Sequence, residues 1–137
     1  MCRVAELGSL AVMTRPQKFL LWAVVTVVAI VVLVFVVGYF STSDFREREA
    51  VLKPLLATNA PLSNVVAQAG AFAITRRDTP DWTQLISRYR AGSKWDKHIA
   101  GKMETAAAVG HTSTMWMQTW IFLDERDRLV DFELGTQ

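Results

Sequence analysis

The chain has 137 residues, which is enough for one small domain and an anchor segment. Its hydrophobic fraction is 51%, but the apolar surplus is concentrated in residues 19–40. The remaining residues, 41–137, contain 12 basic and 12 acidic side chains and are therefore neutral. That balance predicts no nucleic-acid binding, which needs a clustered basic surface.

Residues 1–18 are predicted to be a short cytoplasmic tail. Three basic residues and one acidic residue give it a net charge of +2. Residues 1–12 either belong to the native tail or are an upstream extension, because Met13 would be a natural first residue of the protein. Cys2 is the only cysteine, so no disulfide can form within the chain, and we expect its thiol to stay reduced.

Residues 19–40 are predicted to form a transmembrane helix. These 22 residues include no charge and would extend about 33 Å as a helix, enough to cross a hydrocarbon core of about 30 Å. Phe19 and Trp22 near one end, and Tyr39 and Phe40 at the other, suit the aromatic belts at the two membrane surfaces. Since the segment has no ionisable residue, it predicts neither a proton relay nor an axial histidine for a cofactor.

A cleaved signal peptide is the alternative interpretation of this segment. Signal peptides have a shorter apolar core, about 7 to 15 residues, followed by small residues at the cleavage site. Neither feature is present, so an uncleaved signal anchor is favoured. Arg15 and Lys18 before the segment favour a cytoplasmic N-terminus and a periplasmic C-terminal domain in a bacterial inner membrane. The segment either packs against a partner helix or serves only as an anchor.

Residues 41–58 are predicted to be a juxtamembrane stalk, and residues 59–137 the extracytoplasmic domain. The charge spacing of the stalk continues a helix, but a proline disfavours helix at the residue before it. We therefore expect Pro54 to end or kink the helix.

Two or three helices are predicted within the domain. Asn59 and Thr79 are candidate caps at the first two helix starts, and Ser93 at the third. The predicted helical ranges are 59–70, 79–92 and 93–110, with a short strand at residues 71–75.

The clearest strand signal is at the C-terminal end. Residues 112–123 and 128–134 are rich in β-branched and aromatic residues, and a polar turn separates them, which predicts a β-hairpin. Along the second strand, Val130, Phe132 and Leu134 are predicted to share a face opposite Leu129. The fold class is thus α+β, with helices packed on one face of a small antiparallel sheet.

The first strand of this hairpin is apolar on both faces. Such a strand is either covered on both sides or exposed to a partner. Under the second alternative, the partner interface consists of Met115, Trp116, Met117, Trp120 and Phe122.

The residue types needed for an active site are sparse. His98 and His111 are the only histidines, whereas a zinc site needs three or four ligands. The acidic residues between 124 and 133 are assigned to a turn and an outward strand face, where charge favours solubility. We therefore predict no catalytic residues, metal or cofactor, and a protein that is not an enzyme.

The function expected from these features is that of a non-catalytic accessory or assembly subunit of a larger bacterial membrane protein complex. The lipid bilayer and that complex are the expected partners. The alternative is a stand-alone anchored module that binds an apolar ligand, lipid or peptide in a pocket between helices and sheet.

Overall fold

The computed structural model describes residues 13–136, with the backbone alone at Ser41. Cys2 and most of the predicted tail lie outside the described residues. The elements are helices α1 (Arg15–Ala57), α2 (Leu62–Ala69), α3 (Pro80–Arg90) and α4 (Lys94–Met103), and strands β1 (Ala73–Arg76), β2 (Ala108–Ser113), β3 (Met117–Leu123) and β4 (Leu129–Thr136). The chain divides into two compact units, Met1–Phe40 and Ser41–Gln137. We call the second unit the domain.

The described part of the first unit is an apolar helix with its side chains exposed. By length and composition this part of α1 can cross a membrane, and none of its most apolar stretch is buried. The four aromatic residues predicted to lie at membrane surfaces are Phe19, Trp22, Tyr39 and Phe40, and all of them are more than half exposed.

The C-terminal part of α1 belongs to the domain. Leu52 and Leu55 are 0% and 5% exposed and pack against the sheet, so this part of the segment predicted as a stalk, residues 41–58, packs on the domain. Of the two expectations for Pro54, that it ends or kinks the helix, the first is wrong, because α1 continues to Ala57. Proline removes one helical hydrogen bond, and burial of the two leucines on either side offsets that loss.

The sheet has four antiparallel strands in the order β1-β2-β3-β4. The prediction of one strand over residues 112–123 is wrong, because residues 114–116 form a turn between β2 and β3. The Thr114 N–H closes this turn by donating to the Met117 carbonyl at 2.8 Å. A third helix reaching Gly110 is also wrong, since Gly110 lies in β2. A Cβ at this glycine would be only 2.6 Å from the Ile121 side chain.

A β-bulge between β3 and β4 changes which side chains of β4 share a face. Leu123 is opposite Leu129, whereas Phe122 is opposite Asp131, so Val130 is the extra residue. As a result Leu129 is fully buried and Val130 is 45% exposed. The predicted grouping, with Val130 on the face of Phe132 and Leu134 and Leu129 on the opposite face, is therefore wrong at these two positions.

Helices cover both faces of the sheet, not one. The core on one face joins α1 and α2 to the sheet and includes Leu52, Leu55, Val65, Ile121, Leu123 and Leu129. The core on the other face joins α3 and α4 to the sheet and includes Trp82, Ile86, Ile99, Met103, Trp120 and Phe122. A central strand buried on both faces needs apolar residues on both, which explains the composition of β3.

The helix starts follow the predicted capping residues in part. Ser93 caps α4 as expected, because its side chain accepts from the Asp96 N–H while the Asp96 carboxylate accepts from the Ser93 N–H at 2.8 Å. Thr79 precedes α3, but its hydroxyl donates to the Arg76 carbonyl at 2.7 Å and does not cap the helix. Asn59 is not the cap of α2, which begins after Pro61.

Candidate functional site

The five residues of the predicted partner interface do not lie together. Met117, Trp120 and Phe122 are 4%, 1% and 1% exposed. They are core residues, because α1 lies against one face of β3 while α3 and α4 lie against the other. Their burial favours the first of the two alternatives, a strand covered on both sides, over one exposed to a partner.

Met115 and Trp116 are the two members of that set that remain at the surface. They lie in the turn between β2 and β3 and are 75% and 40% exposed. We call residues 114–116 the apolar turn. The residues on either side of its apolar pair, Thr114 and Met117, line a cleft with α1.

That cleft lies at the end of the domain where α1 enters, which we call the entry end. Its volume is about 240 Å³, and α1 contributes Asp44, Glu47 and Arg48 to its lining. The Arg48 guanidinium donates to the Ala69 carbonyl at the end of α2. It also lies 6.0 Å from the centre of the Phe72 ring. Arg48 thus ties α1 to the segment between α2 and β1 and is held by these contacts.

A second, larger cleft borders the end of β4. It has a volume of about 610 Å³, and its lining includes Phe45, Trp95 and Leu134. The Trp95 ring lies against Gly135, where a Cβ would come within 2.8 Å of it. The Trp95 Nε1 is buried and has no hydrogen-bond partner among the described residues. An unpaired buried donor is costly, and this Nε1 faces Gly135, only 3.1 Å from where a Cβ at that glycine would be.

Charged side chains join α4 to β4 on the α3–α4 face. Lys102 donates to Asp131 at 2.6 Å and pairs with Glu133, and His98 lies 3.0 Å from Glu133. Burial lowers the pKa of Lys102. Its bonds to the two carboxylates raise the pKa by more than burial lowers it, so the net shift is upward. Burial raises the pKa of Glu133, and its bonds to Lys102 and His98 lower it more, so the net shift is downward.

The directions of these two pKa shifts bear on whether the cluster could serve in acid–base catalysis. A general acid or base works best when its pKa lies near the operating pH. Lys102 and Glu133 are both moved away from neutrality, so each is held in its charged form. The cluster therefore fits an ion-paired tie between α4 and β4. The charge pattern of β4 predicted a solvent-facing strand face and did not reveal this tie.

A stack of three rings lies beside this cluster, on the same face of the sheet. His111 and Trp120 are cross-strand neighbours with ring centres 4.3 Å apart, and Tyr89 meets Trp120 edge-on at 4.9 Å. Burial lowers the pKa of His111, so its imidazole is neutral at pH 7. Neither its Nε2 nor the Trp120 Nε1 has a hydrogen-bond partner in the described part of the chain.

Within residues 13–136, no group of three or more His, Cys, Asp or Glu side chains is placed to hold a metal ion. Searches of family models, curated proteins and solved structures found no match to this chain. The geometry of the domain and the apolar helix are therefore the grounds on which a function can be proposed.

Proposed function

We propose that this protein is a single-pass membrane protein and a non-catalytic accessory subunit of a larger bacterial membrane complex. The proposal of a membrane anchor is supported by the exposure of the apolar part of α1. Large contiguous apolar surfaces are rarely left in water, and an α-helix satisfies its own backbone in lipid. In this proposal residues 19–40 cross the inner membrane, the N-terminus is cytoplasmic and the domain is periplasmic.

The lack of catalysis is supported by the charged groups of the domain. The candidates for acid–base chemistry, Lys102 and Glu133, are held charged by each other and by their neighbours. Both faces of the sheet are filled by side chains. What the domain offers a partner is therefore its surface.

The contact with the partner complex is assigned to the cleft beside β4. The cleft combines apolar rings with one buried, unpaired donor, the Trp95 Nε1. Tryptophan in a desolvated pocket is typical of interface hot spots. For an acceptor group of the partner to bond this indole, the Nε1 would have to turn away from Gly135 as the partner covers the cleft.

The second candidate function uses the same cleft. An anchored module for an apolar ligand with one acceptor group would place the apolar part between Phe45 and Trp95 and the acceptor at the Trp95 Nε1. The same unpaired donor favours it, so the two proposals differ in the size of what binds.

The proposed function is tested by extracting the full chain in a mild detergent, separating it under native conditions and identifying what co-migrates by mass spectrometry. Stoichiometric co-migration with one large membrane complex is expected, and Trp95→Phe should weaken it. Trp82→Phe, the same change at a core position outside the cleft, is the matched control. Migration as a lone monomer or a small homo-oligomer would overturn the subunit proposal, and a co-purified small molecule would then support the binding module.

A further inference from the structure

The two connections that flank β3 lie at opposite ends of the domain. The apolar turn lies at the entry end, because its first residue, Thr114, and the adjacent Met117 share a cleft with Asp44 and Arg48. The turn between β3 and β4 lies at the far end, where the Arg128 side chain donates to the Asn59 carbonyl at 3.3 Å. The stretch of α1 and adjoining loop from residue 44 to residue 59 thus runs from one turn to the other.

The entry end is also where the apolar part of α1 stops. Asp44 follows Phe40, the last apolar residue of that segment, by four residues. At about 1.5 Å per residue this is roughly 6 Å of helix. The short connection along the chain therefore keeps the entry end close to the end of the apolar segment.

The two turns differ sharply in polarity. The far turn, residues 124–128, consists of five charged residues, as expected of a turn in water. The apolar turn instead presents Met115 and Trp116, which are 75% and 40% exposed. Connections between strands are ordinarily polar and solvated, so the apolar pair indicates a non-aqueous neighbour at the entry end only.

We propose that the apolar turn is a second membrane contact, in which Met115 and Trp116 enter the interfacial layer of the bilayer that α1 spans. This rests on the proposed function, since it requires that residues 19–40 be in the membrane. Tryptophan is enriched at this depth of a bilayer, where its ring is apolar and its N–H remains hydrated. Unlike a single helix, an anchor with two contacts would also restrict how the domain tilts on the membrane.

The test uses the full chain with Cys2→Ser, reconstituted in vesicles of phosphatidylethanolamine and phosphatidylglycerol. A nitroxide label is attached in turn at Met115→Cys, at Glu125→Cys in the far turn, and at Val28→Cys within the apolar segment. Collisions with oxygen, which concentrates in lipid, and with a water-soluble nickel chelate are measured by electron paramagnetic resonance. Quenching of fluorescence by bromine-labelled lipid, compared between the parent and Trp116→Phe, checks the result without a label.

The expected result is an oxygen-to-nickel ratio several-fold higher at position 115 than at 125, together with weaker bromolipid quenching in Trp116→Phe than in the parent. Trp22 lies in the apolar segment and should be quenched in both proteins. Nickel access at position 115 equal to that at 125, with position 28 in lipid, would overturn this proposal and leave the membrane anchor standing. Protection of position 115 from both reagents would also overturn it, because the turn would then be covered by protein. Nickel access at position 28 would instead refute the anchor itself, and the second contact with it.

Discussion

Replacing Leu52 with alanine should destabilise the domain strongly, because this residue of α1 is a core residue and not part of a stalk. Leu52 is fully buried among side chains of α1, α2 and the sheet. The change removes three carbon atoms, worth about 2.4 kcal/mol at about 0.8 kcal/mol per methylene. The cavity left behind adds to this, so that measured Leu→Ala costs in cores are about 2–5 kcal/mol.

That cost is large against the free energy of unfolding of a domain this size, about 5–15 kcal/mol. With a urea dependence near 1 kcal/mol per molar, the midpoint should fall by about 2 M or more. The assay is urea unfolding of the full chain in a mild detergent, followed by tryptophan fluorescence. Leu33→Ala, the same change in the exposed apolar segment, is the control and should leave the midpoint unchanged. Equal midpoints for the parent and Leu52→Ala would refute the assignment of residues 41–57 to the domain.

The other predictions concern single interactions within the domain, and each is checked by the same unfolding assay. Trp120→Ala should cost about 3–5 kcal/mol as a core truncation, whereas Trp116→Ala should change stability by no more than about 0.5 kcal/mol; equal effects would contradict the burial of β3. Ser93→Ala should cost about 1 kcal/mol by removing the α4 cap, and no loss would show that the capping box does not matter. Because the pKa of Glu133 is lowered on folding, its contribution is present above its unfolded value near 4.5 and is lost as pH falls through the lower folded value. Stability should therefore drop on acidification below about pH 4.5 and drop less in Lys102→Met; parallel pH profiles would contradict the ion-paired tie.

The segments with strong local signals were predicted well from the sequence. The apolar segment could be predicted from composition alone. The start of α4 could be predicted from Ser93 and Asp96, which are three residues apart. The α+β class with an antiparallel sheet follows from helical spacing in one part of the chain and β-rich composition in another.

The errors have one physical origin, which is that burial is decided by distant parts of the chain. Nothing near Pro54 shows that Leu52 and Leu55 meet β3, so the helix was expected to end early. The apolar faces of β3 were open to two interpretations because the second covering layer comes from α1, about 65 residues earlier in the chain. The bulge at Val130 reverses the facing of Leu129, and a one-residue shift of this kind is not visible in an alternating pattern.

The surroundings of β3 and the cleft at Trp95 were the least predictable features. The two apolar faces of β3 were compatible with a covered strand or with an exposed one, because aromatic residues such as Trp120 and Phe122 are common both in interfaces and in small cores. The Trp95 cleft depends on the close approach of its ring to Gly135, a contact between α4 and β4 that no local spacing indicates.

The central claim, one membrane span with the domain on the far side, is tested most directly by labelling with a membrane-impermeant maleimide in bacterial spheroplasts. One variant keeps Cys2 as its only thiol, and the other carries Cys2→Ser with Glu125→Cys. The account predicts that position 125 reacts in intact spheroplasts and that Cys2 reacts only after the membrane is permeabilised. Reaction of both thiols in intact spheroplasts, or of Cys2 alone, would contradict it.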